Sequence, residues 1–126
     1  MVYHNHLLVN GYTLKKLTDG YEMNKFLTQL VKYIGMKIVI PPRSFYIKKA
    51  GNKGITAQVG IETSHLAIHV WDEPSPSIIR LDLYTCGCLD VDSVLAYLEE
   101  HLGLINYKFL VVNREDDFKV YSGGKE

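Results

Sequence analysis

With 126 residues, 47% hydrophobic and 22% charged, the chain has the size and composition of a single domain around a single core. Its 14 basic and 14 acidic side chains cancel and no basic run occurs, which argues against a nucleic-acid partner. No apolar stretch is long enough for a membrane span, the N-terminal MVYHNHLLVNG lacks a signal-peptide build, and Cys86 and Cys88 are too close for a structural disulfide; a cytoplasmic protein with reduced thiols is expected.

Residues Tyr3 to Asn10 alternate, Leu7 and Val9 against His4, His6 and Leu8, and predict a first strand ending at Asn10-Gly11. His4 and His6 share a face of it, and without a nearby third ligand the pair fits a solvated edge or a pocket rim better than a metal site. From Asp19 to Ile34, Met23, Phe26, Leu27, Leu30, Val31 and Ile34 follow helical spacing, with Asp19 and Glu22 at the distance of a capping box and Gly35 placed to end the helix. Met36 to Ile40 reads as a strand stopped by Pro41-Pro42; Ser44 to Lys49 resumes extended structure, and Ala50 to Gly54 is a loop of turn formers. Leu89 to Leu102 predicts a second helix with Val91, Val94, Leu95, Leu98 and Leu102 on one face, capped by Asp90 or Asp92 and ended by Gly103. Tyr107 to Glu115 reads as a central strand, and Asp116 to Glu126 as a last short strand before a polar, glycine-bearing tail. Nothing divides residues 1–126, so one domain is expected.

The informative stretch is Gly54 to Gly87. Ile55, Ala57, Val59 and Ile61 point one way on a strand of period two, and Leu66, Ile68 and Val70, then Ile79, Leu81 and Leu83, repeat the pattern. The opposite face then collects Thr56, Gln58, His65, His69, Trp71, Arg80, Asp82, Tyr84 and Cys86, and it looks like a site. Two helices suffice to cover only the aliphatic face, which predicts an α+β two-layer sandwich: a mainly antiparallel sheet with both helices on one side. A second copy on the other side would make a four-layer αββα homodimer.

Each polar group on that face has a plain reading as well. Ser64 in the link Glu62-Thr63-Ser64 can be a hydrogen-bonding turn serine, His69 a satisfied core histidine and Cys86 a small hydrophobe. Cys86 and Cys88, with His65 or His101, could instead form a metal or redox module, although zinc sites usually space their cysteines more widely.

The run Ser64-His65-Leu66-Ala67-Ile68-His69-Val70-Trp71-Asp72-Glu73, followed by Leu81-Asp82-Leu83-Tyr84-Thr85-Cys86-Gly87, resembles the core of the small prokaryotic S-adenosylmethionine decarboxylases. That family's pattern runs Glu-Ser-His, Ile-His-x-Trp-Pro-Glu and Asp-x-aromatic-Thr-Cys-Gly. Fainter similarity extends through His6-Leu7-Leu8, Gly54-Ile55-Thr56 and the helix around Val94 to Leu98. The resemblance implies a pyruvoyl-dependent decarboxylase acting on S-adenosylmethionine in polyamine (spermidine) biosynthesis. Ser64 would attack the carbonyl before it, the chain would split between Thr63 and Ser64, and the serine would become an N-terminal pyruvoyl group. The ketone of that group forms an imine with the substrate and serves as electron sink while carbon dioxide leaves. His69 takes the place of the processing base, Thr56 of a processing hydroxyl and Cys86 of the proton donor, with His65, Trp71 and Glu73 toward the substrate and no metal. Thr63 stands where relatives usually carry Glu, Asp72 where they carry Pro, and Asn10-Gly11 where they tend to carry an acidic and an aromatic residue. Two other readings fit these departures: the same chemistry on another amino acid such as arginine or ornithine, or an unprocessed relative that binds a small molecule or a protein.

Overall fold

The computed structural model describes residues 4–126; the expected start of the first strand at Tyr3 lies outside the described residues. The elements are β1 (Asn5–Thr13), α1 (Gly20–Tyr33), β2 (Ile38–Ile47), β3 (Gly54–Ile61), β4 (Ser64–Trp71), β5 (Ser77–Thr85), α2 (Val91–Leu102), β6 (Leu104–Asn113) and β7 (Lys119–Lys125). All the strands join in one antiparallel sheet of order β2-β3-β4-β5-β1-β6-β7.

Alternation decides the layers. Leu7 and Val9, Ile55 to Ile61 in steps of two, Leu66 to Val70, and Ile79 to Leu83 are all buried on one face. Against them α1 lays Met23, Phe26, Leu27, Leu30 and Val31, and α2 lays Val94, Leu95, Leu98 and Leu102. Each such side chain contributes about 1.5–3 kcal/mol on burial, so this face carries the stability. The result is the expected α+β sandwich, with α1 over β2 and β3 and α2 over β6. No helix among the described residues is long and apolar enough to cross a membrane.

The helix ends follow the capping signals with small changes. Asp19 caps α1 by accepting the Tyr21 amide at 2.9 Å, and Glu22 takes no part. Asp90, rather than Asp92, caps α2, accepting both the Ser93 amide at 3.2 Å and its hydroxyl at 2.8 Å. Gly103 ends α2 at φ 68°, a left-handed conformation that costs glycine nothing.

Three expectations are corrected. The first strand does not end at Asn10-Gly11 but bulges there and continues to Thr13; a Cβ on Gly11 would stand 2.6 Å from the Tyr107 Cβ, so glycine lets β6 approach. Pro41-Pro42 does not stop a strand either. β2 runs through both, because it is the sheet's outer strand, with one side free of partners, and because both prolines fall in the register shift between Ile40 and Arg43, where neither is paired with β3. Finally, the glycine-bearing tail is not a tail: Gly123 and Gly124 sit inside β7, paired with β6, which is therefore next to an edge rather than central.

Candidate active site

The face away from the helices is crossed by three rows of paired residues. Gly60, His65, Tyr84 and His6 form one; Gln58, Ala67, Asp82 and Leu8 the next; Thr56, His69, Arg80 and Asn10 the third. The strands that carry the polar groups are thus neighbours in the sheet. Large apolar side chains also stand on this face in water: Ile40 and Phe45 on β2, Tyr12 on β1, Leu110 on β6 and Val120 on β7.

At one end lies the β3–β4 turn. It is shorter than expected, only Glu62 and Thr63, so that Ser64 already pairs with Ile61 and Thr85 as the first residue of β4. The Glu62 amide is tied to the Lys37 carbonyl at 2.8 Å, and the Thr63 carbonyl oxygen accepts the backbone N–H of Cys86 at 3.0 Å. The Thr63 hydroxyl accepts from Thr85 Oγ1 at 2.7 Å and donates to Met36 Sδ at 3.7 Å, while Thr85 Oγ1 accepts the Gly87 amide at 2.9 Å. The β-branched residue at 63 is therefore engaged by its neighbours on the side away from solvent. The Ser64 hydroxyl lies 3.1 Å from His65 Nδ1. A groove of about 350 Å³ opens over both, bordered by Ile40, Arg43, Gln58 and Ala67. The Cys86 and Cys88 thiols are free and exposed.

At the other end Thr56 Oγ1 and His69 Nδ1 meet at 3.1 Å, and the His69 ring lies 6.0 Å from that of Trp71, tilted by 30°. Trp71 donates its indole N–H to Asn52 Oδ1 at 2.8 Å. The turn that follows is tightly held: Tyr46 donates to Asp72 Oδ2 at 2.6 Å, and Glu73 Oε1 accepts the Gly51 and Lys53 amides at 3.0 and 3.3 Å. The hydrogen bond to Asp72, then burial and the charges of Asp72 and Glu73, hold the Tyr46 phenol above its ordinary pKa. Beside Trp71 a groove of about 440 Å³ is bounded by Lys53, Glu73, Pro74, Ile78 and Arg80. It joins an apolar wall to two cationic groups.

The two ends are far apart. Ser64 and His69 are five residues from each other on one strand, which at about 3.3 Å per residue separates their Cα atoms by roughly 16 Å. Within one chain the structure thus groups Thr63, Ser64, His65 and Cys86, and separately Thr56, His69, Trp71 and Glu73. His4 and His6, expected at an edge or rim, stand beside the first group: β1 is an inner strand, His6 Nε2 meets Asp82 Oδ1 at 3.3 Å, and His4 Nδ1 meets the Tyr84 hydroxyl at 3.3 Å. Sequence reasoning passed over Thr85, whose parity assigns it to the buried face, and Arg114, whose guanidinium lies 4.4 Å above the Tyr84 ring. Among the described residues no group of three or more His, Cys, Asp or Glu side chains is placed to hold a metal ion.

Residues 5–115 match the family model for S-adenosylmethionine decarboxylase. The chain belongs to that family. A relative from Clostridium botulinum named S-adenosylmethionine decarboxylase proenzyme is 30% identical over 100 residues, covering 77% of this chain and 81% of its own length. Proteins of the same name from Anoxybacillus flavithermus and Syntrophomonas wolfei are 31% and 30% identical, over 74% and 63% of this chain and 70% and 58% of their own lengths. The match takes in every residue of both groups. β7 lies beyond it.

Proposed function

We propose that this chain is likewise a proenzyme, which cuts itself between Thr63 and Ser64 and then decarboxylates S-adenosylmethionine, supplying the aminopropyl donor for spermidine synthesis. The observation that carries the reading is the grip on the Thr63 carbonyl. An amide oxygen accepting a hydrogen bond at 3.0 Å from a fixed backbone N–H is held where negative charge would develop if Ser64 attacked its carbon. Attack converts the Thr63–Ser64 amide into an ester with a free Ser64 amine. Removal of the Ser64 Cα proton then expels the Thr63 carboxylate, and hydrolysis of the dehydroalanine left behind releases ammonia and leaves the pyruvoyl group. That group supplies an electron sink for decarboxylation. Cys86, whose own backbone N–H is the donor to the Thr63 carbonyl, would return a proton to the substrate carbon. Trp71, Glu73 and His65 border the two grooves that would receive substrate.

Elimination needs a base near the Ser64 Cα, and His69 of the same chain is too far along β4 to be that base. A second copy supplies it. A two-fold axis through the open face near Ala67, which lies between the two groups on β4, would bring the Thr56–His69 pair of each protomer toward Ser64 of the other. The exposed Ile40, Phe45, Tyr12, Leu110 and Val120 would then be covered, which supports a face-to-face homodimer with two shared active sites.

Intact mass under denaturing conditions tests the reading. Two chains, 1–63 and 64–126, with a carbonyl on the second that reacts with hydrazines, are expected; a single full-length mass that survives long incubation refutes self-cleavage. Carbon dioxide release from S-adenosylmethionine is expected from the cleaved protein. Release from arginine or ornithine instead would keep the chemistry and change the substrate.

A further inference from the structure

The proposed cleavage leaves one demand unmet inside the protomer. A serine hydroxyl is a poor nucleophile until a base takes its proton. The base assigned by resemblance, His69, is bonded to Thr56 and lies five residues further along β4, whereas the group in contact with the Ser64 hydroxyl is His65 Nδ1, at 3.1 Å. In the tautomer protonated at Nε2, that nitrogen accepts from the hydroxyl.

The neighbours of His65 line one side of its ring. Its imidazole stands edge-on to that of His6, with centroids 6.5 Å apart and planes at 83°, and tilted against Tyr84 at 6.0 Å. His6 is bonded to Asp82, and Tyr84 is covered by Arg114 and bonded to His4. A histidine with ring neighbours on its β5 side that also touches the nucleophile has the arrangement of a general base, and its solvent-facing groove leaves room for movement of the hydroxyl.

We propose that His65 is the general base for the first half of self-cleavage. Its Nδ1 takes the Oγ proton as Ser64 Oγ bonds to the Thr63 carbonyl carbon, while the Cys86 amide holds the carbonyl oxygen. The same proton passes to the Ser64 nitrogen as the carbon–nitrogen bond breaks, so the ester forms with no net gain or loss of protons. Every group for this step belongs to one protomer; only the elimination calls on His69 of the second copy. The proposal rests on the self-cleavage reading above and adds a division of its two steps between two histidines.

Hydroxylamine under mild, brief treatment separates the steps, because it splits an ester and leaves an ordinary amide intact; division is read at 63/64 only, since the Asn10-Gly11 bond is a separate, slower target. His65→Asn, His65→Gln, His69→Ala and the wild type are purified, checked for unchanged thermal melting, and weighed with and without hydroxylamine. The wild type is expected as two chains. His69→Ala should remain one chain that hydroxylamine divides at 63/64, and the two His65 variants should remain one chain that resists hydroxylamine, with cleavage slowed about 100-fold or more. Cleavage of the His65 variants at the wild-type rate overturns the proposal. So does a stalled His65 variant that hydroxylamine divides, since His65 would then act after the ester. If the wild type is neither cleaved nor divided, the self-cleavage reading itself fails and this proposal falls with it.

Discussion

Both faces of the sheet come from the same alternating strands, yet they answer to different demands. Under the helices, Leu66, Ile68, Leu81 and Leu83 are selected for volume and apolarity, and one is exchangeable for another of similar shape. On the open face His65, His69, Arg80 and Tyr84 occupy the intervening positions, where a side chain matters for the atoms it presents. The difference teaches that packing and polar chemistry are separable here by the face of the sheet a side chain takes. Substitutions on the two faces should therefore give opposite signatures.

The largest effect is expected from Ser64→Ala. Self-cleavage should vanish altogether, read as a single full-length mass, while the melting temperature changes little because the Ser64 side chain holds no core contact. A mixture of variants asks whether the open face works alone. Ser64→Ala and His69→Ala should each be uncleaved, but co-expressed they should recover cleavage of the His69→Ala chain only, because that chain's Ser64 would meet the intact His69 of the other. Cleavage by neither chain would return the base to the same protomer or remove it from the reaction.

The aliphatic face should give the reverse. Leu83→Ala, fully buried between β4 and β1, should cost about 2–5 kcal/mol in denaturant unfolding with the open-face geometry unchanged. Gly11→Ala, whose new methyl would collide with Tyr107, should cost about 1–3 kcal/mol, again without touching the turn at Ser64. The smallest effect concerns pH. The Ser93 hydroxyl and amide hold the Asp90 carboxyl below the ordinary range, against a weak opposing effect of burial. A lowered folded-state pKa stabilises the protein above the unfolded value and that contribution disappears as pH falls through the folded one. Asp90→Asn keeps a capping oxygen without the charge, so its melting temperature should fall less steeply than the wild type's below the carboxylate range.

Much of this contrast was legible from residue order alone. Period two in Ile55–Ile61, Leu66–Val70 and Ile79–Leu83 is local information, and it placed three strands and both faces. Pro41-Pro42 misled because a proline ends a strand only where its missing N–H would have had a partner, and whether β2 has a neighbour on that side is a property of the whole sheet. Gly11 misled in the same way: it reads as a turn until the approach of β6 is known. Thr85 could not be found, since its hydroxyl reaches Thr63 only through a loop whose path no periodicity describes. The separation of Ser64 from His69, by contrast, is legible in the residue numbers: five residues of extended chain state it outright, and the proposed second protomer answers to it.

The two prolines have a further bearing on how the molecule meets its own kind. A sheet with seven strands has two outer edges, and each is a template on which another chain could extend the ladder. On one flank Pro41 and Pro42 withhold two donors and the bulges around Ile40 break the repeat. On the other, Lys119 and Lys125 bracket a strand weakened by Gly123 and Gly124. Growth side by side into a fibre is thereby discouraged at both margins, so the face-to-face pairing proposed above would not compete with it.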